Sequence, residues 1–184
     1  YDDDSDDRFN DDGGDNVADG GDTGVLAAIT VGALTTLSFA TATDSPQFKQ
    51  ISTASFVASG QVPQGGKVSI VMPATAGRQS GWAFDNAPAI VFTAPGTATG
   101  TAAWETTADS RTLVVTTDGG GTIAAGATVT FTIANTVTPS ATIDADAAAV
   151  STLDSKDILT DGPTDAATEA ITAGVLTALA FATA

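Results

Sequence analysis

The chain has 184 residues, 42% hydrophobic and 6% aromatic, with a formal charge of −16 and neither Cys nor His. That composition excludes a disulfide framework, thiolate metal sites and Ser/His or Cys/His nucleophilic catalysis. With only six Lys and Arg in all, no basic patch exists to meet a phosphate backbone, so nucleic acid is not an expected partner. No apolar run approaches the ~18 residues of a membrane span.

Taken in order, residues 1–23 read as an acidic connector, with ten Asp against Arg8 and no hydrophobic periodicity. A start at Tyr1 inside an Asp run is what a processed or excised chain would show. Residues 24–143 are nearly neutral and read as the folded body. In the first run, Thr35, Leu37, Phe39 and Thr41 alternate with Leu34, Thr36, Ser38 and Ala40, so the first set is expected to face a core. Phe48–Val57 is a second strand, and the turn VPQGG at 62–66 leads into a third over Lys67–Pro73, with Val68, Ile70 and Met72 on one side.

Residues 74–86 read as a loop carrying Trp82 and Phe84, followed by a strand at Ala87–Thr93 and the turn Pro95-Gly96. Thr101–Thr107 and Arg111–Thr117 are expected to pair as a hairpin. Asp118–Gly121 is a turn, and Val129, Phe131 and Ile133 share one face of the strand Thr128–Ala134. Gly119-Gly120-Gly121 formally opens a dinucleotide-type pattern, but a strand follows it where a helix is required. Some seven or eight short strands at roughly ten-residue spacing predict an all-β, antiparallel sandwich. Residues 144–170 return to acidic composition and read as an irregular connector, with a helical turn at most over 164–170.

The last fourteen residues repeat an earlier stretch. Residues 29–42 (ITVGALTTLSFATA) return as 171–184 (ITAGVLTALAFATA) with ten identities at an offset of 142 residues. The acidic segments follow the same offset, Asp12, Asp15 and Asp19 falling on Asp154, Asp157 and Asp161. Such a match is the mark of a tandem repeat. Residues 171–184 are therefore the first strand of a following repeat, or a strand linking to another subunit.

The order VPQGGKVSIVMP, RTLVVTT, GTIAAGATVTFTIANTVTPS resembles the immunoglobulin-like β-sandwich repeats of large secreted and cell-surface proteins. Residues 61–73 and 122–140 carry the resemblance. It implies an extracellular or cell-surface building block of the stalk, adhesin or filament kind.

Three sets of residues are candidates for function. Asp12, Asp15, Asp19, Asp154, Asp157 and Asp161 offer the hard oxygens that suit Ca²⁺, although no EF-hand spacing is present; Ca²⁺ is the one cofactor under consideration. Trp82 and Trp104 are candidate contacts for glycans, against the blander reading that a sandwich buries its Trp. Ile171, Leu176, Leu179 and Phe181 would be an aggregation hazard if left unpaired, and are the candidate assembly residues. With no N-x-[ST] sequon, a Thr-rich surface leaves O-linked sugars as the compositional expectation. The expected function is structural and not enzymatic: an extracellular filament or surface-array unit whose partners are copies of itself, joined head to tail. The alternative is a Ca²⁺-dependent adhesin or a carbohydrate-binding module.

Overall fold

In the computed structural model, which describes residues 30–73, 81–106, 111–119 and 121–173, the Thr- and Val-rich runs form strands, and no helix occurs among the described residues. One sheet contains β1 (Thr35–Thr41), β2 (Lys49–Val57), β7 (Thr128–Val137) and β4 (Ile90–Ala94), in that order. The other contains β5 (Gly100–Thr106), β6 (Arg111–Thr117), β3 (Lys67–Val71), β8 (Asp146–Leu153) and β9 (Leu159–Thr168). Every ladder within these sheets is antiparallel. All belong to the compact unit beginning at Val31; of the unit before it, Tyr1–Thr30, only Thr30 is described.

The two sheets form a β-sandwich whose core follows the period-2 pattern. Phe56, Val129, Phe131 and Ile133 face Val68, Ile70, Leu113 and Val115, all at most 1% exposed. Burying side chains of this size stabilises by about 1.5–3 kcal/mol each before entropy is counted. The expected hairpin is present, with Thr106 opposite Arg111 and Gly100 opposite Thr117.

The two resemblance motifs meet at one end of the sandwich. Val62 and Ile123 are fully buried and exchange backbone hydrogen bonds of 2.9 and 2.8 Å. Each is followed by a tight turn whose glycine, Gly65 or Gly126, takes φ of 76°, a region open to glycine but costly for side chains. This end, here the upper pole, also holds the tip between β8 and β9 and the entry to β1 at Gly32. The lower pole holds the segments around Asp44, Pro139 and Ile143.

Residues 144–170 differ from the expected irregular connector. They supply β8 and β9, a paired hairpin on the edge of the second sheet. Ala148, Val150 and Thr152 point inward from β8, and Asp161, Ala166 and Thr168 from β9. Small or hydroxylated side chains build this part of the core, so the segment lacks the aromatic and aliphatic signal of the other strands. The helical turn suggested over 164–170 is likewise replaced by strand through Thr168.

Chain direction sets where the two ends of the described unit lie. β1 and β9 run the same way, from upper to lower pole, linked at the top by a parallel bridge between Gly32 and Asp161. At the bottom, Ile171 pairs with Ile143 and the Thr172 amide donates to the Asp44 carbonyl at 2.8 Å. The chain thus enters the sandwich at one pole and leaves at the other.

Candidate functional site

The groove that holds β1 is lined by buried side chains and by a buried carboxylate. Its floor is β2, paired to β1 through Phe39–Ala54 and Thr41–Ser52. Leu34 and Phe39 are each 3% exposed, and Leu37 packs partly buried beside them. The Phe39 ring meets Trp82 edge-on, with centroids 5.6 Å apart and planes at 87°, the geometry favoured by aromatic quadrupoles.

Simple alternation would put Leu34 and Phe39, five residues apart, on opposite faces. A register shift between Thr35 and Ser38 brings both inward, and Thr36 sits there at φ 53°. The shift behaves as a bulge, adding a residue and reversing the phase of the strand. The expected facing of Leu37 and Phe39 holds. Thr35 is exposed and Leu34 replaces it in the core.

The upper end of the groove is closed by Asp161, which is fully buried. The Gly60 amide donates to both of its carboxylate oxygens, at 2.8 and 3.0 Å, and the Thr152 hydroxyl donates to Oδ2 at 3.0 Å. Gly32 lies directly against it, its amide donating to the Thr160 carbonyl and its carbonyl accepting from the Gly162 amide, both at 2.9 Å. A Cβ at position 32 would overlap the Asp161 carboxylate and crowd the Ser59 side chain. Only glycine lets the strand seat here.

Among the described residues, the candidate Ca²⁺ ligands Asp154, Asp157 and Asp161 are not grouped as a metal site. Asp12, Asp15 and Asp19 lie outside the described residues. Asp161 is spent on the groove, and the Asp157 carboxylate pairs with the Lys67 ammonium. Asp154 folds its own turn, accepting from the Ile158 amide at 2.9 Å and the Lys156 amide at 2.7 Å. Among the described residues no cluster of three or more acidic, His or Cys side chains is placed to hold a metal.

The Asp154 bonds, the Ile158 amide foremost and then the Lys156 amide, hold its carboxyl below the usual carboxylate range. A lowered native value means the unfolded chain takes up the proton first as pH falls. The stabilisation is therefore complete above the ordinary Asp value near 4 and is lost as pH drops through the native one. Asp154→Ala is expected to flatten the decline of stability below about pH 4. Urea midpoints measured from pH 6 to pH 2 check this; slopes equal to those of the parent chain would contradict it.

Trp82 is 1% exposed inside the core, and among the described residues its indole N–H finds no partner. It is closed to a glycan. Trp104 is half-buried against Phe84, with centroids 4.8 Å apart, and shares no exposed platform with Trp82. Trp82 is a core residue, and Trp104 packs against Phe84.

Of the candidate assembly residues, Leu176, Leu179 and Phe181 lie outside the described residues. Ile171 is fully buried in the core of its own sandwich. It pairs with Ile143 and helps to close this core, where the sequence placed it in a linking strand. No helix among the described residues is long and apolar enough to cross a membrane. Comparison of the chain with protein-family models, curated proteins and solved structures gives no match.

Proposed function

We propose that the chain is a structural, non-enzymatic repeat of an extracellular filament or surface array in which sandwiches follow one another head to tail. The observation that carries this reading is the course of the chain. It enters at the upper pole, closes its core with Ile171 at the lower pole, and then immediately repeats the sequence of its own first strand.

Reach supports a place for that repeated strand in another sandwich. In the seated register, a glycine in the position of Gly32 lies beside Asp161. From Asp161 down β9 to Ile171 the chain runs about 30 Å at ~3.3 Å per residue. Gly174 is three residues beyond Ile171, a reach of about 10 Å. That short reach argues against the second copy filling the groove of its own sandwich and supports its belonging to another one, in the same polypeptide or a neighbouring subunit. The immunoglobulin-like resemblance of residues 61–73 and 122–140 supports the placement outside the cell.

The same geometry sets a ceiling on the spacing. Gly32 lies level with Asp161, and Gly174 is thirteen residues further along, so the axial repeat is at most about 45 Å for extended chain. Electron microscopy of natively purified material is expected to show linear particles with a repeat at or below that figure. Dispersed single sandwiches, or filaments with a longer repeat, would overturn the reading.

A further inference from the structure

The four differences between the two copies fall at particular positions of the strand. Val31, Ala33, Thr36 and Ser38 become Ala173, Val175, Ala178 and Ala180, and all four native positions are exposed. The residues that contact the groove, Gly32, Leu34, Leu37 and Phe39, return unchanged as Gly174, Leu176, Leu179 and Phe181. The spacing G-x-L-x-x-L-x-F occurs at these two places in the chain and nowhere else. Variation confined to the solvent face is what a recognition code leaves free. Thr36 adds a further point: a β-branched residue at φ 53° is strained, and the second copy carries the less demanding Ala178 there.

We propose that the β1 groove is a strand-recognition site reading G-x-L-x-x-L-x-F, with Asp161 selecting the glycine, and that its second cognate occupant is the segment Gly174–Ala184 of another copy of this unit. The choice of occupant rests on the head-to-tail reading above. The groove's selectivity rests on the packing of described residues alone. Asp161 is suited to the task because Gly60 and Thr152 hold its carboxylate in place, so it does not swing aside for a Cβ. Leu34 and Phe39 then supply the apolar anchors, Phe39 through Trp82, while the ladder to β2 is indifferent to sequence.

The test uses the full chain with Leu34→Asp, Phe39→Asp and Gly174→Val, so that neither its own first strand nor the C-terminal segment of a neighbouring molecule seats. Three synthetic peptides are added: residues 32–42, residues 174–184, and residues 174–184 carrying Gly174→Val. Binding is read from Trp emission and from recovery of a cooperative urea transition. The first two peptides are expected to bind with Kd values within about threefold of each other. The third is expected to bind about 100-fold more weakly, from the overpacking against Asp161. The proposal is overturned if residues 174–184 fail where 32–42 succeed, if the Gly174→Val peptide binds as well as its parent, or if no peptide restores the transition. Failure here beside filaments of the expected repeat would sink the recognition code and leave the array. Peptide binding without filaments would do the reverse.

Discussion

Replacing Asp161 with Ala is expected to lower the unfolding free energy by about 3 kcal/mol, because it strands the Gly60 amide and the Thr152 hydroxyl without an acceptor inside the protein. In a unit of this size that corresponds to a fall in Tm of roughly 10 °C. Asp161→Asn keeps a carbonyl oxygen for Gly60 and is expected to lose about half as much. Denaturant titration of the three chains measures the difference. A loss below about 1 kcal/mol in the Ala variant would show that water or a neighbouring group takes over the bonds. The effect is also expected to be local in origin, since Gly32 and Gly60 both lean on this carboxylate. Amide exchange should rise first at the entry to β1 and at the end of β2.

Phe39→Ala is expected to cost about 3–4 kcal/mol, the usual range for emptying an aromatic site in a packed core. Its ring is 3% exposed and covers one edge of Trp82. The void would lie between an edge strand and its sheet, where β1 is able to detach without dismantling the rest. Hydrogen exchange is therefore expected to show β1 opening at lower free energy than β7, whose neighbours lie on both sides. Uniform loss of protection across both strands would mean that β1 and the core unfold as one unit.

The strands built from large side chains were legible in the sequence. Val68, Ile70 and Met72, or Val129, Phe131 and Ile133, announce their faces through period-2 spacing, and the structure buries both sets. β8 and β9 were hidden for a physical reason. Ala148, Thr152, Ala166 and Thr168 are buried here, and their small size leaves Asp154, Asp157 and Asp165 to dominate the composition. Leu34 was assigned to the wrong side because an inserted residue in β1 reverses the alternation, and a bulge at a Thr has no sequence signature of its own. Asp161 was the most instructive case. An acidic residue in an acidic segment reads as solvated, and its burial appears only once the chain brings Gly60 and Thr152 within hydrogen-bond distance. Its recurrence with Gly162 at the offset of Asp19-Gly20 is visible, but it points to a connector or a metal ligand and not to a strand.

The shared direction of β1 and β9 has a mechanical consequence. A pull applied between Gly32 at the upper pole and Thr172 at the lower runs along both strands. The ladder bonds joining β1 to β2 and β9 to β8 lie across that line. They are loaded in shear, sharing the force along the strand, instead of being peeled one at a time from an end. Rupture then requires many bonds to fail together, and the lifetime under load is set by the unfolding barrier and not by equilibrium stability. A unit threaded pole to pole in this way is suited to bearing tension.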